Sequence, residues 1–310
     1  MFYILFFYFI SFFFFPSLKS LDNNIDKILK NRFYDLMTIF NDKDNSYLYK
    51  GISYYGLSNR DILSFYSNLY NKNIDYYFST HKYYKIPRKI HQIWLGSPLP
   101  DKYKLLIESI KKLHPKWEYK LWTDDDIENL RLYNASVYNN TSNYGEKSDI
   151  ARYEILYRFG GVYLDVDIQC NFNLDKLNRA FHFYAGFEPL WAQGSGLATI
   201  GNAIIASTPG HPILKRCIEK ISNIPKNYNY YSVMAIVTRT GPLMFTKSIN
   251  EIHNFPYVNG YNYIDIIFPS NLFYPWPNNS RKIVKFNSKR SFFIHYWSHS
   301  WVEKKVKSNK

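Results

Sequence analysis

Hydrophobic and polar positions divide the chain into three stretches. Phe2 to Phe15 is a nearly unbroken apolar run closed by Pro16. From Leu21 to Tyr84 the chain turns polar, with Ile25, Ile28, Leu29, Phe33, Leu36 and Phe40 recurring at helical spacing. Beyond Lys85, short apolar blocks alternate with amphipathic ones. Ile90, Ile93 and Leu95 predict a buried strand ended by Gly96-Ser97-Pro98, and Asp101 to Leu113 predicts an amphipathic helix. Trp117 to Trp122 predicts a second, alternating strand, so the order is β-α-β and the sheet parallel. The expected boundaries are 1–18 for a hydrophobic helix, 19–84 for a helical stem or extension, and 85–310 for an α/β domain.

The densest signal runs from Glu146 to Cys170. Ser148 is the expected helix N-cap, with Asp149 in the first turn, where negative charge suits the helix dipole. Apolar residues recur helically to Phe159, Gly160 ends the helix with a left-handed cap, and Gly161 turns the chain into a strand at Val162-Tyr163-Leu164. Asp165 and Asp167 follow, and alternation along a strand would point both to one face. Two carboxylates at a strand end are half of a site for Mg²⁺ or Mn²⁺, which take oxygen ligands and share them with substrate phosphates. Asp149 and Arg152, three apart on the helix, share a face that could look into the same pocket. Asp124-Asp125-Asp126 is a rival Asp-x-Asp, read instead as the capped start of a helix after Thr123. Later strands are expected over Phe181–Phe187 and Gly196–Ile200. Ala203–Ser207 reads as a short helix that Asn202 would cap, Ile213–Ile221 as a surface helix, and the aromatic Phe292–Trp301 as a final apolar strand.

Composition adds a charge argument. The 310 residues carry a formal net charge of +14, with a pI near 9.4, which favours an anionic partner such as a lipid headgroup or a nucleotide diphosphate. The basic residues are spread along the chain rather than clustered with aromatics, which argues against nucleic acid. Cys170 and Cys217 are the only cysteines, and their number fixes no redox compartment. A helix over residues 1–18 would be ~27 Å long, enough for a thin bilayer. The same run also fits the apolar core of a cleavable signal peptide. A single-pass anchor is the expectation, with secretion as the outcome of cleavage. Glycosylation sequons occur at Asn134, Asn139, Asn140 and Asn278.

Ser148-Asp149-x-x-Arg152-Tyr153-x-x-Leu156-Tyr157-x-x-Gly160-Gly161-x-Tyr163-Leu164-Asp165-x-Asp167 resembles the core signature of glycosyltransferase family 32. That family of sugar transferases includes initiating α-1,6-mannosyltransferases and inositol-phosphoceramide mannosyltransferases. The resemblance covers roughly residues 85 to 301. It implies a GT-A fold with a mostly parallel central sheet flanked by helices, a nucleotide-sugar donor, Mn²⁺ or Mg²⁺, and retention of configuration. A GDP-mannose donor and a glycan, glycolipid or glycoprotein acceptor are the corresponding expectations, at an endoplasmic reticulum or Golgi type membrane. Ile86-Pro87-x-x-Ile90-His91-Gln92-x-Trp94 is similar to the family's entry strand, which places His91 and Trp94 near the donor nucleotide. Read alone, they fit a buried strand histidine and a core tryptophan equally well. Asn202 lies in a segment similar to the family's Asn-x-x-x-x-Ser-x-Pro-Gly-His-Pro, and its amide suits sugar hydroxyls. His295, Trp297, Ser300 and Trp301 fit the family's closing pattern, with Tyr296 where a second histidine is usual. That gives His295 a metal or diphosphate role and Trp301 a donor-binding one. Asp149 and Arg152 become catalytic and donor-binding, and Asp165 and Asp167 catalytic and metal-binding.

Two rival classes fit the sequence less well. Haloacid-dehalogenase phosphatases also place Asp-x-Asp after a hydrophobic strand, but normally carry Thr or Val where Gln169 stands here. A non-catalytic sugar- or anion-binding protein on the same fold is the other alternative, and the intact Asp165 and Asp167 pair argues against it.

Overall fold

The computed structural model describes residues 25–37, 59–190, 197–225, 232–254, 262–276 and 290–301. Its frame is a six-stranded sheet with β1 Lys89–Ile93, β2 Glu118–Trp122, β3 Gly161–Leu164, β5 Phe183–Phe187, β6 Ile200–Ser207 and β7 Asp265–Phe268 in the order β2-β1-β3-β6-β5-β7. β1 pairs in parallel with β2 and β3, and β5 with β7, while β6 runs antiparallel to both its neighbours. Five strands therefore share one direction, in a mixed α/β fold. A second, two-stranded sheet pairs β4 Ile168–Cys170 with β8 Phe293–His295.

The first β-α-β unit forms as its pattern predicts. Helix α2, Asp101–Leu113, joins β1 to β2 and buries Tyr103, Leu106, Ile107 and Ile110 at helical spacing. Helix α3, Asp124–Leu130, starts at Thr123, whose backbone N–H and Oγ1 both donate to Asp126. The rival acidic run is thus a capped helix start.

Several expectations need correction. Helix α4 spans Tyr144–Phe159, a turn earlier than Ser148, because Asn143 caps it by accepting the Glu146 N–H at 3.0 Å. Ser148 sits inside the helix, and its Oγ accepts from Arg152. Residues 203–207 are strand, not helix: β6 lies between β3 and β5, is buried along its whole length, and carries the β-branched pair Ile204-Ile205. A short apolar run has no periodicity to tell the two apart. Asp165 to Asp167 is a turn between β3 and β4, closed by the Ile168 N–H donating to the Asp165 carbonyl at 3.1 Å, so strand alternation does not orient the pair.

Gly160 ends the helix and Gly161 opens β3 as expected, but the Gly160 ψ of −163° is not that of a left-handed cap. Gly160 and Gly161 have φ of 59° and 100°, and a Cβ on Gly160 would lie 2.6 Å from Pro209.

Residues 25–37 and helix α1, Asn59–Asn73, belong to the same apolar core as the sheet. Tyr70 donates to the Leu29 carbonyl, and Asn73 donates to the Asp265 carbonyl on β7. The expected extension, where described, is thus no free-standing stem. Helix α5, Pro212–Ser222, buries Ile213, Leu214, Cys217, Ile218 and Ile221 against α4 and α7, Pro242–Asn254, and leaves Lys215 exposed on its other face, as expected of a surface helix. Between α5 and α7 lies the short helix α6, Val233–Arg239. Cys170 and Cys217 are buried, free thiols. The Asn134 sequon is buried and its amide donates to the Ile218 carbonyl, so its side chain is committed to the fold. The run over residues 1–18, the Asn278 sequon and the tail from residue 302 lie outside the described residues. Among the described residues, no helix is long and apolar enough to cross a membrane.

Candidate active site

A cleft of about 610 Å³ opens where β3 ends, and most of the chemically distinctive side chains face it. The turn after β3 is fixed from several sides. The Asp165 N–H donates to the Ala203 carbonyl on β6 at 2.9 Å, and Gln92 from β1 donates to the Asp165 carbonyl at 3.1 Å. Asp167 accepts the Ser298 N–H at 2.7 Å, from a turn in which Trp297 and His299 take φ of 49° and 47°.

His295 arrives by strand register. β8 pairs with β4 so that His295 stands opposite Ile168, beside the two acids. Its Nε2 lies 3.3 Å from Asp167 Oδ1 and 4.0 Å from Asp165 Oδ2. One donor atom from each of Asp165, Asp167 and His295 falls within 4.8 Å of the others. Two carboxylate oxygens and an imidazole nitrogen, partly or fully buried, suit a Mn²⁺-type ion. Burial works against charge on Asp167, yet the adjoining His295 and Ser298 N–H hold it well below the usual carboxylate range. Burial pushes Asp165 upward, with the neighbouring Asp167 charge adding to it and Arg152 opposing it.

The α4 wall of the cleft carries the second group. Arg152 is buried and lies 3.1 Å from Asp149 and 3.4 Å from Asp165, and it donates to the Asn202 carbonyl at 2.7 Å. Its guanidinium also covers the Tyr163 ring, whose hydroxyl donates to Asp165 Oδ1 at 2.7 Å. The Asn202 amide donates to Asp149 at 2.9 Å and to the Tyr153 hydroxyl at 3.0 Å, and Thr240 donates to the other Asp149 oxygen at 3.1 Å. Arg152 therefore links the helix carboxylate to the turn carboxylate, and Asn202 sits in a strand rather than at a helix cap.

Aromatic rings form the outer walls. Trp94 and Trp301 both line the cleft, Trp301 so close to α4 that a Cβ on Gly145 would lie 2.7 Å from its ring. His91 is the exception among the expected site residues. It is buried outside the cleft, between the Gly160 carbonyl at 2.9 Å and Trp122 Nε1 at 3.2 Å, so it supports the β1-β2-β3 framework. Lining residues that were not expected include Tyr144, Tyr163, Glu188 and His299. Tyr163 lies inside the quoted signature. Nothing in the sequence pattern singles out Glu188, a lone acid after an apolar strand.

Residues 100–183 match the family model described as a glycosyltransferase sugar-binding region containing the DXD motif. The matched segment includes the Asp165 and Asp167 turn. Over these residues the chain is similar to that glycosyltransferase family. Within its range of relatives, inositol phosphoceramide mannosyltransferase 3 of Schizosaccharomyces pombe is 30% identical over 193 residues, covering 59% of this chain and 50% of the relative. Mannosyl phosphorylinositol ceramide synthase CSH1 of Saccharomyces cerevisiae is 27% identical over 173 residues, covering 52% of this chain and 42% of the relative. The chain thus spans half or less of the length of these two curated relatives. Among solved structures, the PaToxG glycosyltransferase aligns with a TM-score of 0.47 at 19% identity, over 63% of this chain and 79% of that one.

Proposed function

We propose that the protein is a metal-dependent, retaining glycosyltransferase of GT-A type, which moves a hexose from a nucleotide-sugar to a hydroxyl acceptor. The observation that carries this reading is the convergence of Asp165, Asp167 and His295 with Asp149, Arg152 and Asn202 on one cleft. Asp165, Asp167 and His295 would hold Mn²⁺ or Mg²⁺. Bound there, the ion supplies Lewis-acid neutralisation of the diphosphate leaving group. Arg152 orients Asp149 and adds positive charge toward the same phosphates. Asp149 and the Asn202 amide hold sugar hydroxyls, and Trp94 and Trp301 offer faces for the nucleobase.

GDP-mannose is the proposed donor and a glycolipid hydroxyl the proposed acceptor, since the relatives' names couple mannosyl transfer to inositol phosphoceramide. Attachment to an endoplasmic reticulum or Golgi type membrane through Phe2 to Phe15 belongs to the same reading, with secretion as the outcome if that run is cleaved.

The test is donor hydrolysis by the full chain with MnCl₂, across GDP-, UDP- and dTDP-sugars. Turnover of one donor is expected, lost with EDTA and in Asp167→Asn. Unchanged turnover in Asp167→Asn would overturn the metal assignment. No turnover and no Mn²⁺-dependent binding of any donor would favour a non-catalytic sugar-binding member.

A further inference from the structure

Glu188 is the carboxylate that the reading above leaves without a role. It is buried, lines the cleft, and follows directly on β5. Its backbone N–H donates to the Thr199 carbonyl at 2.9 Å, which continues the β5-β6 ladder by one residue. The ladder also tells which way the side chain faces. Gly186 pairs with Gly201, and Cβ atoms built on the two would meet Phe273 and Tyr274, which are neighbours on one side of the sheet. Glu188 stands two residues beyond Gly186 and shares that side, because strand positions alternate. Asn202 follows Gly201 and faces the other side, where it meets Asp149 and Tyr153 of α4. Glu188 is close enough to His295 and Tyr274 for its charge to act on both, which agrees with this placement. The cleft therefore straddles the sheet end, with Asp149 on one flank and Glu188 on the other.

We propose that Glu188 faces the transferred sugar from the flank opposite Asp149, and that its negative charge offsets the positive charge developing on the sugar as the diphosphate leaves. The inference rests on the transferase reading. In the step it serves, the bond between the anomeric carbon and the diphosphate oxygen breaks, and the electron pair goes to the diphosphate. The acceptor oxygen, water in the hydrolysis assay, forms the new bond, and its proton passes to the departing phosphate oxygen. Glu188 forms no covalent bond to the sugar in this step. A preorganised charge beside a reacting centre is worth most where water is excluded, and a buried carboxylate meets that condition.

The experiment compares full-length wild type, Glu188→Gln and Glu188→Asp on the donor that wild type hydrolyses. Glutamine keeps the size of the side chain and one acceptor oxygen but removes its charge. The expected result is a kcat about 10²-fold lower in Glu188→Gln. Its donor KM, its affinity for the nucleoside diphosphate and its affinity for Mn²⁺ alone should stay within about threefold of wild type. Glu188→Asp, which restores the charge, should recover part of the loss. A Glu188→Gln enzyme with more than about half the wild-type kcat would overturn the proposal while leaving the transferase reading intact. A loss of turnover matched by an equal loss of Mn²⁺ affinity would overturn it too, since Glu188 would then act only on His295 and the metal site. A wild type that neither binds nor hydrolyses any donor would overturn the transferase reading and this inference together.

Discussion

His91 shows how a residue inside a motif can serve the frame and not the chemistry. Trp122 Nε1 donates to its Nδ1, which leaves Nε2 to carry the proton and donate to the Gly160 carbonyl. That arrangement requires the neutral ring. Burial lowers His91 to about 4, against an ordinary value of 6.5. Between those values the unfolded chain binds the proton and the folded one does not, so stability rises with pH across the window. The contribution is complete above about pH 6.5 and is lost as pH falls toward 4, amounting to about 3 kcal/mol. Urea midpoints at pH 7.0 and 4.5 check this for wild type and His91→Gln. The variant should be less stable at pH 7.0 but lose about 2 kcal/mol less between the two pH values. Equal losses in both proteins would show that other groups govern the acid limb. The motif reading went astray because spacing places a residue on a strand without saying which way the ring points.

At the level of elements, the cleft wall made by α6 is fastened to α4 by a buried ion pair. Arg239 donates through Nε and Nη2 to the two Glu146 oxygens at 2.6 and 2.7 Å, and Thr141 donates to Glu146 at 2.7 Å. One residue on, Thr240 reaches Asp149 and gives its carbonyl to the Tyr153 hydroxyl. Replacing Arg239 by Gln leaves the buried Glu146 carboxylate without its cation, which costs about 3 kcal/mol. Amide exchange over residues 233–239 should quicken more than in β3 or β6. The double variant Glu146→Gln, Arg239→Gln should recover at least about 1 kcal/mol of the loss, measured as the coupling energy of a double-mutant cycle. Additive losses would mean that the pair contributes nothing beyond its separate contacts. None of this was legible beforehand, because Glu146 and Arg239 belong to separate helices whose packing no periodicity reveals. The first β-α-β unit and the Gly160-Gly161 break were legible, since local propensity and tertiary context agree there, whereas the Asp165 to Asp167 turn read as strand. The short apolar run at 203–207 was not legible either, and only its place between β3 and β5 made it a strand.

For the whole molecule, the candidate metal site is where two sheets meet. Asp165 and Asp167 follow the central strand β3, whereas His295 ends β8, which reaches the site only by pairing with β4. Two carboxylates so close repel each other, and His295 together with the Ser298 N–H relieves part of that repulsion in the protein alone. A divalent cation would relieve more, because its charge acts on both acids and the imidazole at once. It would also tie the closing strand to the sheet end, so that binding reports on the fold as well as on catalysis. Mn²⁺ at about 100 times its dissociation constant should then stabilise the native state by about 2.7 kcal/mol, provided the unfolded chain does not bind it. The check is a thermal melt of full-length protein with MnCl₂, with EDTA, and in the variants Asp167→Asn and His295→Ala. Wild type should gain several degrees in Tm, reversed by EDTA, and each variant should gain little or nothing. The His295→Ala arm decides most, since the two acids alone could hold an ion loosely at the turn. An undiminished gain in that variant would remove His295 from the site and leave the β4–β8 register a structural matter only.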